Sequence, residues 1–114
     1  MIPIAYRRHE ALRLLPLLRS IAEEVEDRQI AILALCRRIK LARASASTPD
    51  HELHPLEADL RGERTQLSRA LRELSALNCR VTDLHPLRVQ IPAGNGQQLA
   101  WSPDQPTVLV AEPA

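Results

Sequence analysis

Two apolar ladders with steps of three and four residues constrain this chain more than any other feature. The first reads Leu14, Leu18, Ile21, Val25, Arg28, Ile32, Leu35, Ile39, Ala42, and the second Leu53, Leu56, Leu60, Glu63, Leu67, Ala70, Leu74, Leu77. Such steps hold every member on one stripe of a helix, the seam of a helical hairpin or coiled coil. The ladders settle an architecture while carrying almost no chemistry. Helix one is expected over about residues 7–44 and helix two over about 55–77, starting somewhere between Pro49 and Pro55.

Pro16 falls inside helix one, where it removes a backbone donor and crowds the preceding turn, so a kink or a short leading helix is expected. The first six residues read as an extended lead-in. In the connection, Thr48 suits a cap with Pro49 at the first helical position. Asn78 suits a left-handed stop at the end of helix two.

After Asn78 the pattern changes to alternation. Cys79–Asp83 is a strand candidate, and Leu87, Val89 and Ile91 alternate with Arg88 and Gln90, as in a half-buried strand. The stretch from Pro92 to Gln97, with Gly94-Asn95-Gly96, reads as a turn, Gln98–Trp101 as the return strand and Thr107–Ala111 as the last. The fold class is therefore α+β and mostly α: a long antiparallel two-helix hairpin, then a small antiparallel β-meander over about 79–111. At 114 residues this is a single domain.

The order of elements carries a resemblance. The Glu10-Ala11 and Leu14-Leu15-Pro16-Leu17-Leu18 opening, the Val81-Thr82-Asp83-Leu84 segment, and the Val89-Gln90-Ile91-Pro92 and Ala100-Trp101 strands together resemble the domain of unknown function 2203 family, a group of small uncharacterised bacterial proteins. The chain departs from the family's pattern in two places. An acidic residue before an aromatic and Pro stands here as Gln90, Ile91 and Pro92, and a closing Trp-His pair stands as Val110-Ala111-Glu112. A site built on those residues would be lost in this chain. The resemblance implies a helical hairpin with a small sheet, and no activity.

Composition narrows the function. Without Phe, and with only Tyr6 and Trp101 as aromatics, the core must be built from Leu, Ile, Val and Ala. A helix rises about 30 Å per 20 residues, so the hairpin is long and thin and covers its own apolar surface incompletely. Helix one is apolar well beyond one seam. Leu15, Leu33 and Cys36, and less firmly Ile30, fall outside the intramolecular ladder and are the expected contacts of a homo-oligomer, most simply a dimer. A non-enzymatic interaction or scaffold protein is the reading that follows.

Arg28 and Glu63 interrupt the two seams. A tight loop sets them opposite each other in an antiparallel hairpin; a longer loop slips the register by a heptad, so that Arg28 meets Ala70 and Glu63 meets Leu35. The long connection gives the slipped register at least equal standing. A buried pair would act as a register device, but the reading preferred on sequence alone leaves both at the seam edge, snorkelling to water.

Arg37, Arg38, Lys40 and Arg43 form a basic cluster, the basis of an alternative reading as a nucleic-acid-binding or regulatory accessory protein. Cations belong at a helix C-terminus, however, and Asp50, Glu52, Glu57 and Asp59 across the turn oppose them. The net charge is only +1, and aromatics on which bases stack are scarce, so nucleic acid is not the expected partner. Arg7, Arg8 and Arg13 oppose the dipole of helix one and read as an exposed basic end.

His51 and His54 are three apart with a Glu between, short of the zincin spacing of four with a third ligand, and read as a solvated helix start. Neither Ser nor Cys stands in a nucleophile pattern. No metal, cofactor or catalytic residue is expected. Cys36 and Cys79 have no metal-type spacing, no signal-peptide pattern opens the chain, and no apolar run approaches a membrane span. A soluble, reducing, cytoplasmic setting is the expectation.

Overall fold

The computed structural model describes residues 8–45, 47–84, 86–93, 98–105 and 109–111. The lead-in expected over the first six residues and the turn at Gly94-Asn95-Gly96 lie outside the described residues. Helix α1 runs Arg8–Ala44 and helix α2 Asp50–Ala76. Strands β1 Arg80–Leu84, β2 Leu87–Pro92, β3 Gln98–Trp101 and β4 Leu109–Ala111 follow as an antiparallel meander in that order. The molecule is rod-like, 61 × 27 × 26 Å. Its length is set by α1, whose 37 residues span about 55 Å at 1.5 Å each.

Pro16 is included in α1 without ending it. The start of α2 falls at the early edge of the expected Pro49–Pro55 bracket: the helix begins at Asp50, with Pro49 in the cap position and Pro55 inside the helix. Pro49 has extended backbone (φ −73°, ψ 153°), and no side chain caps the end, so Thr48 does not fill the role expected of it. The Glu52 amide donates to the Pro49 carbonyl at 3.0 Å, and Asp50 and Glu52 place negative charge in the first turn, where the macrodipole welcomes it.

Helix α2 ends where Asn78 turns left-handed, at φ 58°. The Cys79 amide donates to the Leu74 carbonyl at 3.0 Å, and the Asn78 amide to that of Ser75 at 2.9 Å. This is a Schellman arrangement, and its customary apolar contact is supplied by Leu74 and Cys79, both in the core. The reversal aims the chain back so that the sheet folds onto the base of the hairpin.

The sheet presents Leu87, Val89, Ile91, Leu99 and Trp101 on its buried face. They close over Ala11, Leu15, Leu18, Ala22 and Val25 of α1 and over Ala70 and Leu74 of α2. Arg19 fastens the β3–β4 turn to this base. Its Nη2 donates to the Gln105 carbonyl at 2.7 Å and its Nη1 to that of Pro103 at 3.3 Å, while the guanidinium lies 5.6 Å from the Trp101 ring centroid. The α1 members of the core cluster stop at Val25. Beyond it, among the described residues, the hairpin is two helices with no third layer.

Candidate interaction surface

An α-helix repeats its facing after eighteen residues, five turns. Leu15 and Leu33 therefore leave α1 in the same direction, as do Leu12 and Ile30, and Leu18 and Cys36. In the proximal half the sheet covers part of that side: Leu15 is 7 % exposed, while Leu12 stays 39 % exposed. In the distal half nothing among the described residues covers it: Leu33 is 63 % and Ile30 67 % exposed, and Cys36 is half-buried. The amphipathic pattern of α1 is continuous, but the sheet is too small to follow it.

This corrects one expected interface residue. Leu15 is a member of the intramolecular core, packed with the sheet, and is not available to a second chain. Periodicity along α1 could not reveal this, because the covering residues are contributed by strands far along the chain. Leu41, 66 % exposed and left out of the expected set, widens the bare region.

Arg28 and Glu63 meet. Arg28 Nη1 donates to Glu63 Oε2 at 2.7 Å, with about a quarter of each side chain still exposed. The register is thus the closer of the two considered, and the pair sits at the seam edge without either member being left to water alone. Arg28 Nε, buried and without a hydrogen-bond partner, lies 3.5 Å from Glu24 Oε1, near enough for attraction between charges. A surface α1–α2 pair, Arg43 to Glu57 at 3.3 Å, repeats the theme near the tip.

Arg37, Arg38, Lys40 and Arg43 are all exposed. Lys40 and Arg43 share an open groove of about 460 Å³ with Arg61 and Arg64 of α2, and Glu57 is the one acid on it. The α2 arginines were missed at the level of sequence. Their spacing of three was visible there, but not the register that brings them beside Lys40 and Arg43. Arg64, Arg69 and Arg72, with Thr65 and Ser68, border a second open groove further along α2.

His51 and His54 are exposed at the start of α2, and among the described residues no group of three or more His, Cys, Asp or Glu is placed to hold a metal ion. A groove of about 780 Å³ between the end of α2 and β1 contains Cys79. Burial pushes that thiol up to about 11 from an ordinary 9.0, which leaves it protonated and a poor nucleophile at neutral pH. Its Sγ instead donates to the Leu77 carbonyl at 3.7 Å. No helix among the described residues is long and apolar enough to cross a membrane.

The fold and surface define a class: a helical hairpin stabilised at one end by a β-meander and bare at the other. The chain belongs to the family described as uncharacterized conserved protein (DUF2203), whose model matches residues 5–111. No curated protein and no solved structure matches it.

Proposed function

We propose that this chain is a non-enzymatic interaction or scaffold protein that homo-oligomerises, most simply as a dimer, through the distal half of its hairpin. The observation that carries the reading is the contrast along α1: the same side of the helix is sealed by the sheet at Leu15 and open at Leu33. Large apolar side chains in register with a core, but beyond its reach, support a second protein layer. Ile30, Leu33 and Cys36 are the interface residues of this proposal, and Leu41 joins them.

The setting proposed is cytoplasmic and reducing, in which Cys36 and Cys79 stay thiols. Sedimentation equilibrium of the wild type and of Leu33→Asp tests the assignment. A dimer that becomes a monomer on substitution supports it; equal masses for the two proteins contradict it.

The alternative, a nucleic-acid-binding or regulatory accessory protein, is favoured by one observation, the convergence of Lys40, Arg43, Arg61 and Arg64 on a single groove. It requires duplex binding that weakens steeply with salt and is lost when these four are neutralised. Binding unaffected by that change would remove it.

A further inference from the structure

The bare side of α1 has an order of its own. Glu23, Glu26, Ile30, Leu33, Arg37 and Lys40 follow one another in steps of three and four, so they form a second stripe, separate from the seam with α2. All six are exposed. The stripe becomes free one turn after Arg19, its preceding member, which is held by the β3–β4 turn.

Read along the chain, the stripe runs acid, acid, apolar, apolar, cation, cation. Its charges are unspent: among the described residues, Glu23, Glu26, Arg37 and Lys40 have no ion-pair partner. Neither Glu26 nor Arg37 nor Lys40 has an opposite charge three or four residues away that could compensate it along the helix.

We infer that the occupant of this stripe is the same stripe of a second copy, running antiparallel. The reversed order is complementary to itself. With α1 against α1 about a two-fold axis between Ile30 and Leu33, Ile30 meets Leu33 of the second copy, Glu26 meets Arg37, and Glu23 meets Lys40. Each contact recurs by symmetry, giving two apolar pairs at the centre and four ion pairs outside them. These are the layers of an antiparallel coiled coil, in which the two kinds of seam position face one another. A parallel pairing would set Glu23 on Glu23 and Lys40 on Lys40, like charge on like, and is disfavoured.

From Glu23 to Lys40 the contact extends about 26 Å, at 1.5 Å per residue. Both sheets lie at opposite ends of such a dimer, because each caps the proximal half of its own hairpin. The inference rests on the self-association proposed above and adds its direction, register and specificity.

Two charge-reversed proteins test it. One carries Glu23→Lys with Glu26→Lys, so its stripe is all cationic; the other carries Arg37→Glu with Lys40→Glu, so its stripe is all acidic. All four sites are exposed, and circular dichroism checks that each protein is folded. Each alone is expected to bind itself roughly a hundred-fold more weakly than the wild type, and an equimolar mixture to regain the dimer mass as a heterodimer. Two variants that still dimerise as tightly as the wild type, or a mixture that stays monomeric, would overturn the register while leaving self-association standing. A monomeric wild type would overturn both, and would assign the stripe to a different protein.

Discussion

Arg28 and Glu63 are joined at 2.7 Å across the hairpin seam, 35 residues apart in the chain. One apolar ladder admits neighbouring heptad registers of similar burial, and this charged pair distinguishes between them. In the slipped register Arg28 would face Ala70 and Glu63 would face Leu35, each charge opposite an apolar side chain. The pair therefore acts more through the cost of the wrong register than through the stability of the right one. Replacing either partner by Ala is expected to cost about 1 kcal/mol, with a coupling of about 0.5–1 kcal/mol in a double-mutant cycle, because both groups retain some solvent. Urea unfolding of the four proteins measures it, and a coupling of zero would deny the pair its role.

Leu15 and Leu33 should part company in stability. Leu15→Ala empties a site in the core beneath the sheet and is expected to cost about 2–5 kcal/mol. Leu33→Ala, on the bare side, is expected to change the stability of the isolated chain by no more than about 0.5 kcal/mol. Denaturant midpoints at high dilution compare them. Equal losses would show that the distal side is covered within one chain.

The base of the hairpin is tied by Arg19. Its two hydrogen bonds to the β3–β4 turn and its stacking over Trp101 are all lost in Arg19→Ala, and Trp101 Nε1 keeps its bond to the Gln105 carbonyl at 3.2 Å. A loss of about 1–3 kcal/mol is expected, since charged donors to carbonyls are the stronger kind. Trp101 is the one Trp of the chain, so its emission reports the loosening directly. An unchanged spectrum and unchanged stability would mean that the turn is held by other contacts.

Cys79 makes stability fall in alkali. Its pKa is higher folded than unfolded, about 11 against 9.0, because burial disfavours the thiolate. The folded protein therefore holds this proton more tightly. The contribution is fully present below pH 9.0 and is lost as pH rises toward about 11. Cys79→Ala is expected to flatten the stability profile in that window. In the folded Leu33→Asp monomer at pH 8, an alkylating reagent should modify half-buried Cys36 well before buried Cys79. Equal labelling rates would contradict the burial argument.

Much of the fold was legible in the residues. The ladders marked the hairpin, Asn78 its end, and Gln98–Trp101 the return strand at the bounds observed. The start of α2 was harder to read because Pro49 and Pro55 are both tolerable near a helix start, and only the backbone at Pro49 shows which one caps it. The register was ambiguous because a heptad slip preserves apolar pairing. The surface was half legible: an excess of apolar residues on α1 was evident, but where the sheet would spend it was not. Strands contributed from beyond Asn78 cover Leu15 and fall short of Leu33. The basic groove required the same long-range knowledge, since Arg61 and Arg64 join Lys40 and Arg43 only once the hairpin closes.

The central claim is that the bare distal half of α1 is covered by a second copy. The absolute mass of the purified chain in solution, by light scattering behind size exclusion over a range of concentrations, tests it most directly. One chain is 12.8 kDa. A mass of twice that value, falling toward one chain only on dilution, is the predicted result. A mass of one chain at every concentration would contradict the account.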